Sequence, residues 1–267
     1  MNKKKLTPEE ISELQASYFE LQASWGMTKH IGGLKATREL VELCHVNKGK
    51  YVLVVGCGVG ITPCYLAKNY GCKVVGIDIS ATMIDRSNER AKRGCVEDKT
   101  EFRIGDAQNL PFEDAVFDAV ICESVDAFIE DKQRAINEYT RVIKPEGYVG
   151  LNECTWIKAP PPELAEYLSH IIGAEFLADN NDWKELLEGS GLREIVAKIY
   201  KTNALSQWIN EVRQFEFLDF FKAWYRFLFQ FIKNPAYRRF TKEVLTMPKS
   251  IFRIFKYFGY GIYVGRK

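Results

Sequence analysis

The stretch Tyr51-Val-Leu-Val-Val-Gly-Cys-Gly-Val-Gly60 decides the fold of this 267-residue chain. Its first five residues are apolar and largely β-branched, as in a parallel strand that is buried on both faces. Three glycines follow, and Thr62 and Pro63 then predict the N-cap and the first residue of a helix. A strand, a glycine turn and a helix N-terminus bring unpaired backbone N–H groups to one point, where a ligand can approach the backbone closely.

The spacing of the glycines narrows the choice of ligand. They follow the pattern G-x-G-x-G, whereas the dinucleotide fingerprint G-x-G-x-x-G would need a glycine at Ile61. This disfavours an NAD-dependent oxidoreductase. The stretch from Val52 to Gly60 resembles the first motif of the class I S-adenosylmethionine (SAM)-dependent methyltransferases. Val54 stands where that family usually carries an acid, so another residue must hold the methionine amine.

The chain beyond the glycine turn keeps the motif order of the same family over residues 50–155. A second buried strand ends at Asp78, which is expected to accept hydrogen bonds from two ribose hydroxyls. Gly105-Asp106-Ala107 precedes the strand from Phe117 to Glu123. The resemblance implies that Asp106 binds the adenine amino group and that Met83 packs on the adenine. The predicted cofactor contacts are Gly56, Cys57, Gly58, Gly60, Asp78, Ile79, Met83, Asp106, Ala107 and Glu123.

Acidic residues follow the fourth and fifth predicted strands, where this family transfers the methyl group. Glu123 is predicted to act as a base or substrate contact, to support the sulfonium, or to make a structural hydrogen bond. Asp126 is the second catalytic candidate. The predicted substrate contacts are Tyr18, His30, Glu153, Trp156 and Trp224. No metal site is predicted, since the seven cysteines are scattered without a Cys-x-x-Cys pair.

The order of elements predicts an α/β fold with a Rossmann-like, doubly wound sheet of seven strands and an antiparallel last strand. Residues 1–46 are expected to form a helical cover that starts at Thr7, and residues 47–203 the SAM-binding core. Residues 204–250 are predicted to be a helical cap inserted before the last strand, which residues 251–267 supply. The turn at Lys144-Pro145-Glu146-Gly147 has Glu146 where the family has glycine, a replacement we expect to be harmless.

The C-terminal quarter combines aromatic and basic residues. Residues 214–232 are rich in Phe, Trp and Tyr, and beyond Lys222 the only acid is Glu243. One interpretation is a cap packed over the active site, and the other is a helix lying in a membrane interface. Either interpretation predicts a small acceptor of apolar or amphipathic character.

Charge and hydropathy exclude other classes of protein. The net charge of +2 does not indicate nucleic-acid binding, and no run of about 18 apolar residues predicts a membrane span. The N-terminus lacks the apolar region of a signal peptide, so we expect a cytoplasmic protein that contacts membranes at most peripherally.

Three functions remain open. The favoured one is methyl transfer from SAM, which leaves S-adenosylhomocysteine. The second is a noncatalytic nucleotide-sensing or interaction protein on the same fold, a reading motivated by Val54. The third is an arsenite-type methyltransferase, because Cys57, Cys122 and Cys154 lie near predicted strand ends.

Overall fold

The computed structural model describes residues 18–20, 22–23, 30–172, 180–212, 217–245 and 249–267. The helix predicted to start at Thr7 lies outside these residues until residue 18. The rest of the chain builds one central sheet with helices packed against both of its faces.

Seven strands form the sheet in the order β3-β2-β1-β4-β5-β7-β6. The five strands β1 to β5 are parallel to one another, whereas β7 runs antiparallel to both β5 and β6. This topology confirms the predicted Rossmann-like sheet with an antiparallel last strand. The strands are β1 (Tyr51–Val55), β2 (Lys73–Asp78), β3 (Thr100–Ile104), β4 (Phe117–Glu123), β5 (Ile143–Trp156), β6 (Arg193–Lys201) and β7 (Phe258–Arg266).

One described α-helix precedes β1, and one lies in each of the connections β1–β2, β2–β3 and β4–β5. Two α-helices lie between β5 and β6 and three between β6 and β7, whereas the described connection from β3 to β4 has none. Two 3-10 helices, Asp126–Phe128 and Lys249–Lys256, accompany them. The α-helices are α1 (Gly33–Leu43), α2 (Ile61–Asn69), α3 (Ala81–Gly94), α4 (Lys132–Val142), α5 (Pro162–Ile172), α6 (Asn180–Gly189), α7 (Ala204–Val212), α8 (Phe217–Lys233) and α9 (Pro235–Leu245).

The strand β1 lies at the centre of two hydrophobic cores, one on each face of the sheet. Val52 and Val54 belong to the core that includes α1 and α2, and Leu53 and Val55 belong to the core that includes α4. Successive side chains of a strand point to opposite faces, so a continuous apolar run fills both cores. The sheet order reverses between β1 and β4, and the crevice at that point is where ligands bind in open α/β sheets.

Two local predictions need correction. Thr62 is not an N-cap, because α2 begins at Ile61 and its cap is Gly60, which has a φ of 79° and makes no side-chain hydrogen bond. Glu146 has a φ of 65°, so an L-residue occupies a left-handed position where glycine would be unstrained. That conformation costs about 1–2 kcal/mol, and the replacement of glycine is not free. Ser80 caps α3 and accepts from the Met83 N–H.

The described residues between β6 and β7 are mostly helical. They form the helices α7, α8 and α9 and the second 3-10 helix, and the last strand begins at Phe258, later than residue 251. Among the described residues, α7 contacts α1 and α9 contacts α8. No helix of the described chain has both the length and the apolar run needed to cross a bilayer.

The close approach of α1 to β5 gives a test of this packing. A Cβ added at Gly150 would lie 2.6 Å from the Cys44 sulfur and 2.8 Å from a Leu40 methyl carbon, both in the buried core. Gly150→Ala should therefore overpack the core and lower the free energy of unfolding by about 1–3 kcal/mol, measured by urea denaturation.

Gly49→Ala is the matched control for this substitution. Its nearest neighbour would be the Asn47 side-chain oxygen at 3.7 Å, an ordinary van der Waals distance, and the position is exposed. The control should leave the free energy of unfolding within about 0.5 kcal/mol of wild type. Equal stability of Gly150→Ala and Gly49→Ala would contradict the described packing of α1 on β5.

Candidate active site

A cavity of about 650 Å³ opens at the carboxyl ends of β1, β2 and β4. Its wall is built from the turn after β1, the end of β2, the loop after β3 and residues 123–125 and 128–130, and residues 18–20 and 22 cover it. Ala23 packs with Val59 and Met83, which holds this N-terminal segment against the glycine turn. The cavity therefore lies in the crevice that the sheet topology predicts.

The glycine turn brings backbone to the floor of the cavity. Gly56 and Gly58 have φ values of 62° and 53°, and both line the cavity. A Cβ on Gly56 would lie 2.2 Å from a Val125 methyl carbon, so only glycine fits beside the loop after β4. Cys57 also lines the cavity, and its N–H donates to the Ile77 carbonyl. Gly60 lies behind the cavity, against Ser87 of α3.

Asp78 stabilises the turn and presents a carboxylate to the cavity. One oxygen accepts from the Gly58 N–H at 2.9 Å and the other from the Ser80 N–H at 3.0 Å. Burial raises the pKa of this carboxyl, and the Ser80 and Gly58 N–H groups partly oppose that shift. Each oxygen keeps acceptor capacity for another donor, such as one of two ribose hydroxyls.

Residues that follow β2 and β3 line another part of the cavity. Met83 is buried and lines it, as do Asp106 and Ala107 of the loop after β3. Asp106 accepts from the Gln108 N–H at 2.8 Å, which fixes this loop. Ile79 lines the cavity and is largely exposed. Together with the glycine turn and Asp78, these residues are the candidates for holding the nucleoside part of SAM.

A buried carboxylate, Glu123, joins three elements beside the cavity. Its Oε1 accepts from the Thr37 hydroxyl of α1 at 2.8 Å and from the Asn152 amide of β5 at 3.4 Å. Its Oε2 accepts from the Thr62 hydroxyl of α2 at 2.6 Å. Glu123 and Thr62 both line the cavity. Because both oxygens already have donors, the geometry favours a positioning role for Glu123 over that of a free base.

His30 is attached to the same network. Its Nε2 lies 3.2 Å from the Thr37 hydroxyl, whose one proton goes to Glu123. His30 must therefore donate from Nε2, which fixes the tautomer of the neutral ring with Nδ1 as the acceptor. His30 is buried and lines the cavity. Tyr18 also lines the cavity, so two of the predicted substrate contacts lie at the site.

Asp126 and Glu153 are corrections to the predicted site. Both are fully buried and neither lines the cavity. Glu153 Oε1 accepts from the backbone N–H groups of Val125 and Asp126, and Asp126 Oδ1 accepts from the Tyr139 hydroxyl at 2.8 Å. Burial raises the pKa of both carboxyls. They position the loop after β4 rather than contact a substrate.

The second oxygens of this acid pair are unusual. Asp126 Oδ2 and Glu153 Oε2 are buried without a hydrogen-bond partner. The Cys122 sulfur lies beside the pair: this sulfur and one carboxylate oxygen of each acid lie within 4.8 Å of one another. That sulfur donates to Asp126 Oδ1 at 3.5 Å. Two buried carboxyl groups this close together favour uptake of a proton by the pair.

Trp156 and Trp224 are the other corrections. Trp156 packs edge-to-face on Phe258, with ring centroids 5.7 Å apart, and does not line the cavity. Trp224 is partly exposed on α8 and likewise does not line it. Among the described residues, the region from 204 to 256 reaches the site only through neighbours: the Gln207 amide donates to the His30 carbonyl and the Gln230 amide to Glu20.

The three cysteines of the arsenite interpretation are poor thiolates. Burial raises the pKa of the Cys57, Cys122 and Cys154 thiols well above the usual range. A metalloid-binding site needs thiolates, which form where burial and neighbouring acids do not oppose deprotonation. This environment disfavours an arsenite-type reaction.

Sequence reasoning missed part of the cavity wall. Phe19 and Phe128 meet edge-to-face at 5.0 Å, and Tyr18 contacts both rings. Glu20 and Glu130 lie in the same wall. Phe128 and Glu130 follow β4 directly, so the rule that ligands bind beyond strand ends could have indicated them. Phe19 and Glu20 carry no such signal, because their position depends on a long-range contact.

Comparisons with known proteins identify a methyltransferase domain in this chain. Residues 53–151 match a family model described as a methyltransferase domain. Phosphoethanolamine N-methyltransferase 3 of Arabidopsis thaliana is 31% identical over 168 residues, which are 62% of this chain and 34% of the relative. This chain thus spans about a third of the length of that relative.

Solved structures share the fold. The [4+2]-cyclase SpnF superposes with a TM-score of 0.72 at 20% identity, covering 96% of this chain and 93% of that one. Phosphoethanolamine N-methyltransferase 2 of Haemonchus contortus, solved with SAM, gives a TM-score of 0.67 at 17% identity, covering 100% of this chain and 58% of that one. Residues 53–151 thus resemble the methyltransferase domain of the class I SAM-dependent family, whose cofactor is SAM.

The role of Asp78 gives the first test of the site. Asp78→Ala removes the acceptor for the Gly58 N–H and the carboxylate offered to a ribose. Affinity for S-adenosylhomocysteine should fall about tenfold or more, since hydrogen bonds to a charged group contribute roughly 1.5–3 kcal/mol each. Isothermal titration calorimetry measures this, with Asp78→Asn expected between wild type and Asp78→Ala. Asp85→Ala, an exposed acid of α3, is the control and should bind as wild type.

The acid pair predicts a pH-dependent stability. A carboxyl whose pKa is raised on folding destabilises the fold at pH values above that pKa and ceases to do so as pH falls below its unfolded pKa. Asp126→Asn keeps an acceptor for Tyr139 and removes one buried charge. The variant should gain about 1–2 kcal/mol at pH 8, roughly 2–8 °C in melting temperature, and gain little at pH 4.

Asp118→Asn is the control, because its expected change in stability at pH 8 has the opposite sign. Burial alone would raise the pKa of Asp118, but the Tyr51 N–H and the ammonium groups of Lys144 and Lys50 lower it below its usual value. Its carboxylate therefore stabilises the fold above the unfolded pKa, and the variant should lose stability at pH 8. A gain for Asp126→Asn that is as large at pH 4 as at pH 8 would show that the acid pair is not the cause.

Proposed function

We propose that this protein transfers the methyl group of SAM to a small amphipathic acceptor that carries a basic nitrogen. The observation that carries this proposal is the wall of Tyr18, Phe19 and Phe128 beside the carboxylates of Glu20 and Glu130. Aromatic faces and carboxylates both attract an alkylammonium group, and the same rings pack against an apolar chain.

The charge of the cavity favours this acceptor class. Its described lining residues include three acids besides Asp78 and Asp106, namely Glu20, Glu123 and Glu130, and no lysine or arginine. A negatively charged wall attracts cations and repels phosphate or carboxylate groups. The plant relatives are named for phosphoethanolamine. The described walls of this cavity offer no cationic side chain for such a phosphate, so we infer a different acceptor.

The protein's own groups have separate tasks in this reaction. SAM supplies a methyl group already activated by the sulfonium, so the chain must align the acceptor and exclude water. Glu123, with Thr62, is the carboxylate we assign to the methionine amine, a role that Val54 leaves open. His30 offers Nδ1 to the proton that an alkylammonium acceptor must lose before its nitrogen can attack.

An acceptor panel tests the proposal. Purified protein with labelled SAM should methylate dodecylamine, a primary amine on an apolar chain, at a kcat/KM at least about tenfold above dodecanol or phosphoethanolamine. Preference for phosphoethanolamine would overturn the acceptor class. Failure to bind S-adenosylhomocysteine at all would instead favour the noncatalytic interpretation.

Charge variants locate the acceptor. Glu20→Gln combined with Glu130→Gln should raise KM for dodecylamine about three- to tenfold, because partly exposed charge pairs contribute roughly 1 kcal/mol, and should leave S-adenosylhomocysteine affinity unchanged. Glu113→Gln, an exposed acid outside the cavity, is the matched control. An unchanged KM in the double variant would mean that these carboxylates do not face the acceptor.

A further inference from the structure

The outward side of α8 carries large apolar side chains that the described protein leaves exposed. Tyr225 and Ile232 are 72% and 73% exposed, far above an ordinary half-buried helix residue. With Leu228 and Phe229 they follow the i, i+3, i+4, i+7 spacing of one helix face. We define the aromatic face as Trp224, Tyr225, Leu228, Phe229 and Ile232.

The opposite side of α8 is packed, which fixes the direction of the aromatic face. Phe227 meets Tyr237 of α9 edge-to-face at 5.6 Å, and Tyr237 is fully buried. The Gln230 amide donates to Glu20 Oε1 at 3.3 Å. The inner side of α8 thus packs on α9 and on the segment that covers the cavity, while the aromatic face points away from both.

Basic side chains surround the C-terminal end of this face. The Lys233 ammonium lies 4.3 Å from the centre of the Phe229 ring. Arg238 of α9 donates to the carbonyls of Phe231 and Ile232, which holds its guanidinium at the end of α8. Arg239 and Lys242 are exposed on the same helix. An apolar face bordered by cations is complementary to a bilayer surface that carries anionic headgroups.

We propose that the aromatic face docks this protein on the surface of an anionic phospholipid membrane. The helix α8 lies in the interface, with its apolar side chains among the upper acyl segments and the cations of α9 among the phosphates. No described helix can cross the bilayer, so the attachment is peripheral. Trp and Tyr are suited to this depth, because an apolar ring and a polar tip meet both environments.

The same docking has a consequence for the substrate, and this step rests on the proposed function. Gln230 links α8 to Glu20, a cavity-lining residue. Docking through the opposite side of α8 therefore holds the covered cavity close to the bilayer, where an amphipathic amine partitions. The enzyme would draw its acceptor from the membrane rather than from water.

Vesicle sedimentation tests the docking without any assay of activity. The full-length protein is mixed with vesicles of phosphatidylcholine alone or of equal parts phosphatidylcholine and phosphatidylglycerol. We expect sedimentation with the anionic vesicles, weakened by high salt. The double variant Tyr225→Ser, Ile232→Ser should bind them about tenfold more weakly or worse, since it removes two exposed apolar side chains. Absence of wild-type binding to anionic vesicles would overturn the proposal.

Two controls keep the test decisive. Ile104→Ser removes an exposed apolar side chain from β3, at the opposite edge of the sheet, and should leave vesicle binding unchanged. S-adenosylhomocysteine titration shows that each variant is folded. The proposal would be overturned if wild type and the double variant bound vesicles equally. It would also be overturned if wild type bound no vesicles but formed dimers that the double variant abolishes. Loss of dodecylamine turnover with intact vesicle binding would count against the acceptor alone.

Discussion

A buried carboxylate must find hydrogen-bond donors, and the way Glu123 finds them organises the active site. Its three donors come from α1, α2 and β5, elements that are distant in the chain; Thr37 alone is 86 residues away. Because an unpaired buried charge would be strongly destabilising, these elements are held in one arrangement. The cover helix, the glycine turn and the end of β4 consequently meet around one cavity.

The sequence predicts the parts of this site that local patterns encode. Strand periodicity and turn chemistry predict a strand at Tyr51–Val55, a glycine turn after it and an acid at the end of β2. The structure has each of these features at the predicted position. Thr62 marks the limit of such reasoning. Its residue type and position are typical of an N-cap. In the folded protein, however, its hydroxyl donates to the buried carboxylate of Glu123, which is a stronger hydrogen-bond partner.

What local patterns cannot predict is which of several similar acids faces the ligand. Glu123, Asp126 and Glu153 all follow strand ends, yet only Glu123 lines the cavity. Asp126 and Glu153 lie under the loop after β4, where the Tyr139 hydroxyl donates to Asp126 and two backbone N–H groups donate to Glu153. The outcome depends on a tyrosine from α4 and on the fold of a three-residue 3-10 helix, and neither is visible in the spacing of the acids.

The C-terminal helices pose the same problem at larger scale. Their composition favours either a cap or a membrane helix, and we propose that these two roles belong to opposite sides of one helix. The inner side of α8 packs on α9 and contacts Glu20, and the outer side keeps Tyr225 and Ile232 in solvent. A helix that carries apolar side chains on both sides is stable in water only if each side packs against a partner. The inner partner is the cover of the cavity, and the exposed aromatic face still requires an outer one.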